Sequence, residues 1–231
     1  MSKAEAGANS FAVSANRTYD HISNFLLRSE ADELYDVMLR QDWTTKQDGR
    51  ADLDYGVSYH RGGAIPTEIP VIPDFLRSLA SQISQKTRHP INYVQVHRFL
   101  PEHDVRPHAD PPMCVPMLTL GQERTFRVGG TMPTSFWRIK QSSRRVDHHL
   151  PEREILMRHG DLLVFYGAKV IHSMFPAIQD AAFNPNGREY RISLLFRYTT
   201  EAMRTYGVSV CNKHGHRKQY SEAVAEFHGR T

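Results

Sequence analysis

The sequence predicts a single domain of the α+β class, mainly β, in which N-terminal helices precede a core of antiparallel strands. Three observations support this prediction. Apolar residues recur at helical spacing in two early segments, and short β-rich runs separated by turn residues follow after Pro90. The strand–helix–strand alternation that is typical of a parallel sheet is not present in the pattern. The core is therefore expected to be a sandwich or a barrel.

Two helices are expected in the N-terminal part, over residues 29–39 and 73–86. In the first helix, apolar side chains recur every three or four residues after Ser29, which is a suitable N-cap. In the second, Pro73 lies near the start, where its missing N–H is not needed. The segment between them, residues 43–70, is rich in Gly, Asp, Thr and Tyr and favours strands and loops.

The strands of the core follow in order along the second half of the chain. Six are expected, over residues 93–100, 114–120, 124–128, 154–157, 161–166 and 189–198. A short helix is expected near residues 221–227. The predicted layout has a leader over 1–16, one domain over 17–200 divided into helices and lid (17–90) and β core (91–200), and a polar basic extension over 201–231.

The composition is that of a globular protein with a substantial core. Of 231 residues, 40% are hydrophobic and 23% are charged, and no apolar run reaches the ~18–20 residues that span a bilayer. Cys114 and Cys211 are far apart and form no paired motif, which favours a reducing interior over a disulfide framework. A cytoplasmic monomer without a membrane partner is expected, or a nuclear one in a eukaryote. The net charge of +4 is compatible with a polyanion partner but does not establish one.

Two histidines and one aspartate form a candidate metal site. His108 and Asp110 are two positions apart, so that on an extended backbone both side chains point to the same side. A distant His172 would complete two imidazoles and one carboxylate, a facial set of ligands that suits non-haem Fe(II). The competing interpretation is a turn in which Asp110 accepts backbone N–H bonds before a proline.

Two arginines lie on one face of the last predicted strand. Arg191 and Arg197 are separated by an even number of positions, and Ser193 shares their face. Such arginines could bind the carboxylates of a small dicarboxylate. Strand alternation leaves open whether this face meets solvent or the polar interior of a barrel.

Five ordered segments of residues 93–198 resemble AlkB-type Fe(II)/2-oxoglutarate dioxygenases. They read VHRFLPEHDVRPHAD, VPMLTLGQERTFRVGG, LMRHGDLLVFYG, IHSMFP and RISLLFR, and they contain the family pattern of HxD, a distant His and RxxxxxR. The resemblance implies a double-stranded β-helix, or jelly roll, of two antiparallel sheets backed by helices. It also implies the cofactors: an Fe(II) ion, 2-oxoglutarate as co-substrate, and O2.

Carried over by position, the resemblance assigns each of these residues a role. His108, Asp110 and His172 would be the metal ligands and the catalytic centre. Arg191 would bind the distal carboxylate of 2-oxoglutarate, and Arg197 would lie near its C1 end. Because Asp110 fills the position that a halogenase leaves open, halogenation is not expected.

The chain departs from the family pattern at three places. The family keeps N-x-Y on the first core strand, whereas residues 97–99 read HRF, so a contact to 2-oxoglutarate would come from His97 or Tyr93. Ser193 stands where the family often has Asn. Some nucleobase-repair members carry a second acid two residues after the metal Asp; Pro112 stands there and its side chain accepts no hydrogen bond.

A nucleic-acid substrate would require aromatic faces for stacking and cations for phosphates. The expected substrate-binding residues, besides Pro112, are Trp43, Tyr55 and Tyr59 in the lid region and Trp137 and Arg138 in the 131–152 insertion. The competing interpretation of the insertion is a charged solvated loop.

Four functions are compatible with these residues. The first is oxidative demethylation of N-alkylated nucleobases in DNA or RNA, with release of formaldehyde, succinate and CO2. The second is hydroxylation of a small metabolite or a protein side chain by the same cofactors. A binding module without catalysis is disfavoured by the complete motif, and a zinc hydrolase would leave the arginine pair without a role.

Overall fold

The computed structural model describes residues 19–57, 69–110, 113–129, 152–167, 170–177, 187–206 and 215–230. Eleven strands and four helices are defined within these residues. The elements in chain order are β1 Tyr19–Ile22, α1 Arg28–Leu39, β2 Thr44–Thr45, β3 Ala51–Gly56, α2 Asp74–Thr87, β4 Tyr93–Phe99, β5 Val105–His108, β6 Cys114–Gly121, β7 Arg124–Val128, β8 Arg153–Met157, β9 Leu162–Tyr166, β10 His172–Met174, β11 Arg191–Arg197, α3 Glu201–Tyr206 and α4 His216–Gly229.

The strands form two antiparallel sheets. The larger sheet has seven strands in the order β1-β9-β6-β11-β4-β3-β2, and the smaller has four in the order β5-β10-β7-β8. Side chains of the two sheets meet between them: the rings of Phe126 on β7 and Phe165 on β9 lie 6.1 Å apart. The prediction of a mainly β fold with two antiparallel sheets is confirmed.

Strict alternation on β11 gives the larger sheet two chemically different faces. Ile192, Leu194 and Phe196 are fully buried in the apolar core, which also takes in the inner sides of α1 and α2. Each such side chain contributes roughly 1.5–3 kcal/mol by leaving water. The alternate residues, among them Arg191 and Arg197, are equally buried and occupy the other face. Of the two environments that the sequence left open for these arginines, the interior is therefore the one observed.

The His-Gly-Asp segment that precedes β9 has a structural role. The fully buried Asp161 accepts hydrogen bonds from the backbone N–H groups of Asn24 (2.9 Å) and Arg158 (2.9 Å) and contacts His21 Nε2 at 3.0 Å. These bonds attach the loop after β1 and the end of that strand to the edge of the larger sheet, where β1 pairs with β9. The carboxylate of Asp161 therefore stabilises this edge of the sheet.

His159 of the same segment holds the end of β6. Its Nδ1 accepts the Gly121 N–H at 2.8 Å, and its Nε2 lies 3.0 Å from Asp32 on α1. Gly121 has a φ of +83°, and a Cβ there would lie 2.1 Å from the carbonyl oxygen of Tyr190. Only glycine fits this close approach between β6 and the chain that leads into β11.

The N-terminal helices lie close to their predicted bounds, with one difference at the first cap. Helix α1 begins at Arg28, its N-cap is Leu27, and the N-cap N–H donates to Glu30 Oε2 at 2.8 Å. Ser29, the predicted N-cap, therefore lies within the first turn of the helix. The N-cap is Leu27, and the carboxylate of Glu30 satisfies its backbone N–H.

The last helices join the body of the protein. Helix α4, predicted over 221–227, spans His216–Gly229 and is therefore longer than predicted at both ends. In α4, Tyr220 is 6% exposed, and its hydroxyl oxygen lies 3.0 Å from His89 Nδ1. In α3, Met203 is fully buried. Among the described helices, none has the length and apolar composition required to cross a membrane.

Candidate metal centre and anion site

The three predicted metal ligands come together on the smaller sheet. His108 is the last residue of β5, Asp110 follows two positions later, and His172 is the first residue of β10. Strands β5 and β10 pair with His172 opposite His108, and the two ring centroids are 4.2 Å apart. One possible ligand atom from each of the three residues lies within 4.8 Å of the others. The pairing of β5 with β10 thus brings the HxD motif and the second histidine together in space, although they are far apart in the sequence.

Backbone carbonyls orient both imidazoles toward a common centre. The Nδ1 atom of His108 lies 2.8 Å from the Arg106 carbonyl, and that of His172 lies 3.1 Å from the Val170 carbonyl. A carbonyl oxygen only accepts, so Nδ1 of each ring donates to it and Nε2 is the nitrogen that remains available to a metal. Carbonyl partners of this kind fix the tautomer of metal-ligating histidines.

The charges at the centre are those that a metal requires of its ligands. Burial, together with the neighbouring His108, lowers the pKa of His172 to about 4, so its ring is neutral at pH 7. Burial alone would raise the pKa of Asp110, but Arg197, His172 and His108 hold it well below its usual range. Neutral imidazole and ionised carboxylate are the metal-binding forms of these groups. Two nitrogens and one carboxylate on one side fit Fe(II) in a facial arrangement.

Arg191 forms a buried cationic site on the larger sheet, on the same strand as Arg197. The residue is fully buried; its Nη2 donates to Thr119 Oγ1 at 2.8 Å and its Nε to Ser193 Oγ at 3.2 Å. Its Nη1 has no hydrogen-bond partner, and no carboxylate lies within 4.0 Å of the guanidinium among the residues described. Burial and the charge of Arg124 lower its pKa to about 9, so it remains charged at neutral pH.

An anionic ligand resolves this arrangement. A buried cation without a carboxylate in direct contact is costly, even with the charge of Asp161 farther away, and a carboxylate that accepts from Nη1 would satisfy both the charge and the donor. The residues present therefore fit the distal carboxylate of 2-oxoglutarate. The uncharged hydroxyls of Thr119 and Ser193 hold the guanidinium in place without neutralising it.

Arg197 connects the two sheets at the candidate metal centre. Its Nη2 donates to Asp110 Oδ2 at 3.0 Å, and only 4% of its side chain is exposed. The same Asp110 oxygen lies 3.7 Å from His172 Nε2. The guanidinium of Arg197 is therefore beside the metal ligands, whereas that of Arg191 binds to Thr119 on β6 and Ser193 on β11.

His97 and Tyr93, the predicted replacements for the missing family contact, lie on β4 opposite Ser193 and Arg197 respectively. Both are engaged by acids of the neighbouring strand β3. His97 Nδ1 lies 2.6 Å from Asp52 Oδ1, and the Tyr93 hydroxyl donates to Asp54. Sequence reasoning missed these two acids, although their alternation with Leu53 and Tyr55 was a signal that they share a face.

The predicted substrate-binding residues divide into two groups. Trp43 donates its indole N–H to Met38 O at 2.9 Å, and the Arg98 guanidinium lies 4.9 Å from its ring centroid. Tyr55 is 7% exposed and its hydroxyl lies 3.4 Å from Gln41 Oε1. Both aromatic residues thus pack toward α1 and its C-terminal loop, away from the triad. Tyr59, Pro112, Trp137 and Arg138 lie outside the described residues.

Comparison of the sequence with protein-family models and with curated proteins gives no match. Solved structures do match. OsALKBH1 gives a TM-score of 0.52 at 15% identity, covering 79% of this chain and 97% of that chain. HygX from Streptomyces hygroscopicus, solved with nickel and 2-oxoglutarate bound, gives 0.53 at 12% identity, covering 83% and 91%. A 2OG-Fe(II) oxygenase-family oxidoreductase from Burkholderia pseudomallei gives 0.51 at 14% identity, covering 78% and 83%.

These similarities define the class of the fold. The protein has the jelly-roll architecture of 2-oxoglutarate/Fe(II) oxygenases, and the predicted double-stranded β-helix is confirmed. Its His-Asp-His group and its buried arginine occupy the two sheets of that fold.

Proposed function

We propose that the protein is an Fe(II)/2-oxoglutarate-dependent dioxygenase. The observation that carries the proposal is the combination of a His-Asp-His group, in which His172 is buried, with a fully buried arginine that no described carboxylate contacts within 4.0 Å. Bound Fe(II) would supply the dioxygen-activating chemistry, in which 2-oxoglutarate is decarboxylated to succinate while the substrate is oxidised. A zinc hydrolase has no use for the second feature, and a binding module has no use for the first.

The chain's own residues would hold and shield the reactants. His108, Asp110 and His172 would bind the metal from one side, and Arg191 would bind the distal carboxylate of 2-oxoglutarate. Phe165 lies 4.6 Å from the His172 ring between centroids and Phe126 lies 5.6 Å from it, so that side of the centre is apolar and excludes water. Exclusion of water strengthens the electrostatic interactions that hold charged ligands.

For the substrate, we favour an N-alkylated nucleobase of DNA or RNA. The support is the order of the motifs, HxD, the distant His and RxxxxxR, in a chain with the jelly-roll fold. Oxidation of an N-methyl carbon gives a hydroxymethyl group, which leaves as formaldehyde when the C–N bond breaks: the electron pair of that bond goes to the nitrogen and the hydroxyl proton is released. Roles for Tyr59, Trp137 and Arg138 in stacking and phosphate contact remain predictions.

A second substrate class is a small molecule or a protein side chain. The observation that favours it is the packing of Trp43 and Tyr55 away from the triad, which removes two of the expected stacking surfaces. HygX, one of the structures with the same fold, has also been solved with hygromycin B bound.

Turnover under controlled oxygen tests the proposal. The protein is loaded anaerobically with Fe(II) and 2-oxoglutarate, oxygen is admitted, and succinate and formaldehyde are measured with N-methylated oligonucleotides, single- and double-stranded. Formaldehyde that depends on one methylated base supports the nucleobase. Succinate that no oligonucleotide stimulates supports the second class, and absence of succinate above that of a His172→Ala control contradicts the oxygenase itself.

A further inference from the structure

A second polar cluster lies on the same face of the larger sheet as the arginines. Strand β4 pairs with β11 on one side and with β3 on the other, placing Ser193, His97 and Asp52 in one cross-strand row and Leu195, Gln95 and Asp54 in the next. Residues directly opposite in an antiparallel ladder point to the same face. At about 4.8 Å between strands, the β3 acids lie about 10 Å from β11.

Contacts connect this cluster to the metal centre. Tyr93 donates to Asp54, and its Cα partner on β11 is Arg197, whose guanidinium binds the metal-ligand candidate Asp110. A hydrogen bond and a strand pairing therefore link Asp54 to Arg197, which contacts a proposed metal ligand.

Asp52 is an ionised acceptor that already binds an ammonium group. Burial alone would raise its pKa, but His97 and Lys46 lower it to about 2. Its Oδ2 contacts Lys46 Nζ, and the Lys46 side chain is 52% exposed while that of Asp52 is 18% exposed. An exposed lysine is readily displaced, so another cation could take its place beside Asp52.

Gln95 provides an independent indication of a ligand. Its side chain is 2% exposed, it lies between Asp54 and Leu195 on the same face, and its Nε2 has no hydrogen-bond partner among the described residues. A buried amide donor without an acceptor costs about 1–3 kcal/mol, and native proteins seldom leave one unsatisfied. An oxygen atom of a bound molecule would supply the acceptor that the Gln95 Nε2 donor lacks.

We propose that Asp52, Asp54 and Gln95 form the subsite that recognises a positively charged nitrogen of the primary substrate, next to an oxygen that accepts from Gln95. This inference rests on the proposed function for the identity of the site. It assigns to β3 the acceptor that Pro112 cannot supply. A 3-methylcytosine base has this chemistry, with a delocalised positive charge, an exocyclic amine and a carbonyl oxygen; a diaminocyclitol with hydroxyl groups has it as well.

Equilibrium binding to the Fe(II)- and 2-oxoglutarate-loaded protein, without oxygen, tests the subsite. The probes are a single-stranded pentanucleotide with one 3-methylcytosine, the same strand with the neutral 3-methyluracil, a diaminocyclitol, and its N-acetylated form. Asp52→Asn and Asp54→Asn should each weaken binding of the cationic probes about 10- to 100-fold, as expected for a lost charge-assisted hydrogen bond, and leave the neutral probes unchanged. Asp74→Asn, the same chemical change at a 92%-exposed position, should have no effect.

Lys46→Gln separates recognition from a structural role. Removing the competing ammonium should tighten binding of the cationic probes severalfold, an effect that a merely structural Asp52 would not produce. Whichever cationic probe binds identifies the source of the charged nitrogen. Equal binding of charged and neutral probes, binding of none, or an unchanged Kd in Lys46→Gln would overturn the inference. Binding of 2-oxoglutarate itself is measured in the same variants. If the wild-type protein did not bind 2-oxoglutarate, the result would count against the proposed function and not against the subsite.

Discussion

Replacing Arg191 by methionine should weaken 2-oxoglutarate binding more than 100-fold without destabilising the ligand-free protein. The pKa of Arg191, about 9 instead of 12.5, is equivalent to roughly 5 kcal/mol of destabilisation of its charged form. An apolar side chain of similar size removes this cost. In contrast, loss of a buried charge partner costs about 3–5 kcal/mol, so the Kd for 2-oxoglutarate should rise more than 100-fold.

Thermal unfolding with and without the ligand measures both effects. At 2-oxoglutarate equal to 100 times its Kd, binding stabilises the native state by about 2.7 kcal/mol, which raises the Tm of a chain of this size by about 5–10 °C. The wild-type protein, loaded with Mn(II) to prevent turnover, should show this shift. Arg191→Met should lack it while keeping a Tm at least as high as that of the ligand-free wild-type protein.

Arg124→Met is the matched control, because Arg124 is also buried but donates to the backbone carbonyls of His103 and Leu100. Its removal leaves those acceptors unsatisfied and should destabilise the ligand-free protein by about 2–6 kcal/mol. If Arg191→Met lowered the ligand-free Tm as much as Arg124→Met and kept the ligand-dependent shift, the assignment of Arg191 to an anion site would be wrong.

Three further perturbations should give measurable results. His172→Ala should weaken binding of Co(II), followed by its visible absorption, at least 100-fold, with the circular dichroism unchanged; full binding would refute the ligand assignment. Burial lowers the pKa of His159 to about 4, so the unfolded chain binds a proton that the folded one does not, and stability should fall as pH drops from 6.5 to 4. His159→Gln should reduce that slope in urea titrations by about 1.4 kcal/mol per pH unit, and an unchanged slope would exclude His159 as its source. Leu118→Ala, at a fully buried position of β6, should cost about 2–5 kcal/mol in the same titrations, and a cost below 1 kcal/mol would contradict its core position.

The sequence predicted those parts of the structure that depend on local pattern. Strand β7 has the predicted bounds, and β11 lies within its predicted range, because alternation and flanking turn residues are local signals. The convergence of His108, Asp110 and His172 was also predicted. The order of motifs shared with a known family implied that these residues meet, although the pairing of β5 with β10 that brings them together is long-range.

Long-range side-chain contacts were not predictable in the same way. The pairing of Asp52 with His97 depends on the register of β3 against β4, which no single segment specifies. Tyr55 alternates with Asp54, so one of them had to face the helices, but the pattern alone did not show which. The short strands β1 and β10 lack the length that makes a β pattern visible in the sequence.

The ion pair between Arg197 and Asp110 has a consequence for the motions of the protein. The proposed metal ligands lie in or directly after strands of the four-stranded sheet, and the proposed 2-oxoglutarate residues lie on the seven-stranded one, so a 2-oxoglutarate molecule that contacts both groups would hold the two sheets together. Metal and 2-oxoglutarate should then favour each other's binding through a shared opening equilibrium. Backbone amides of β5 and β10 would report it: their hydrogen exchange should slow when either ligand binds, and slow most when both are present.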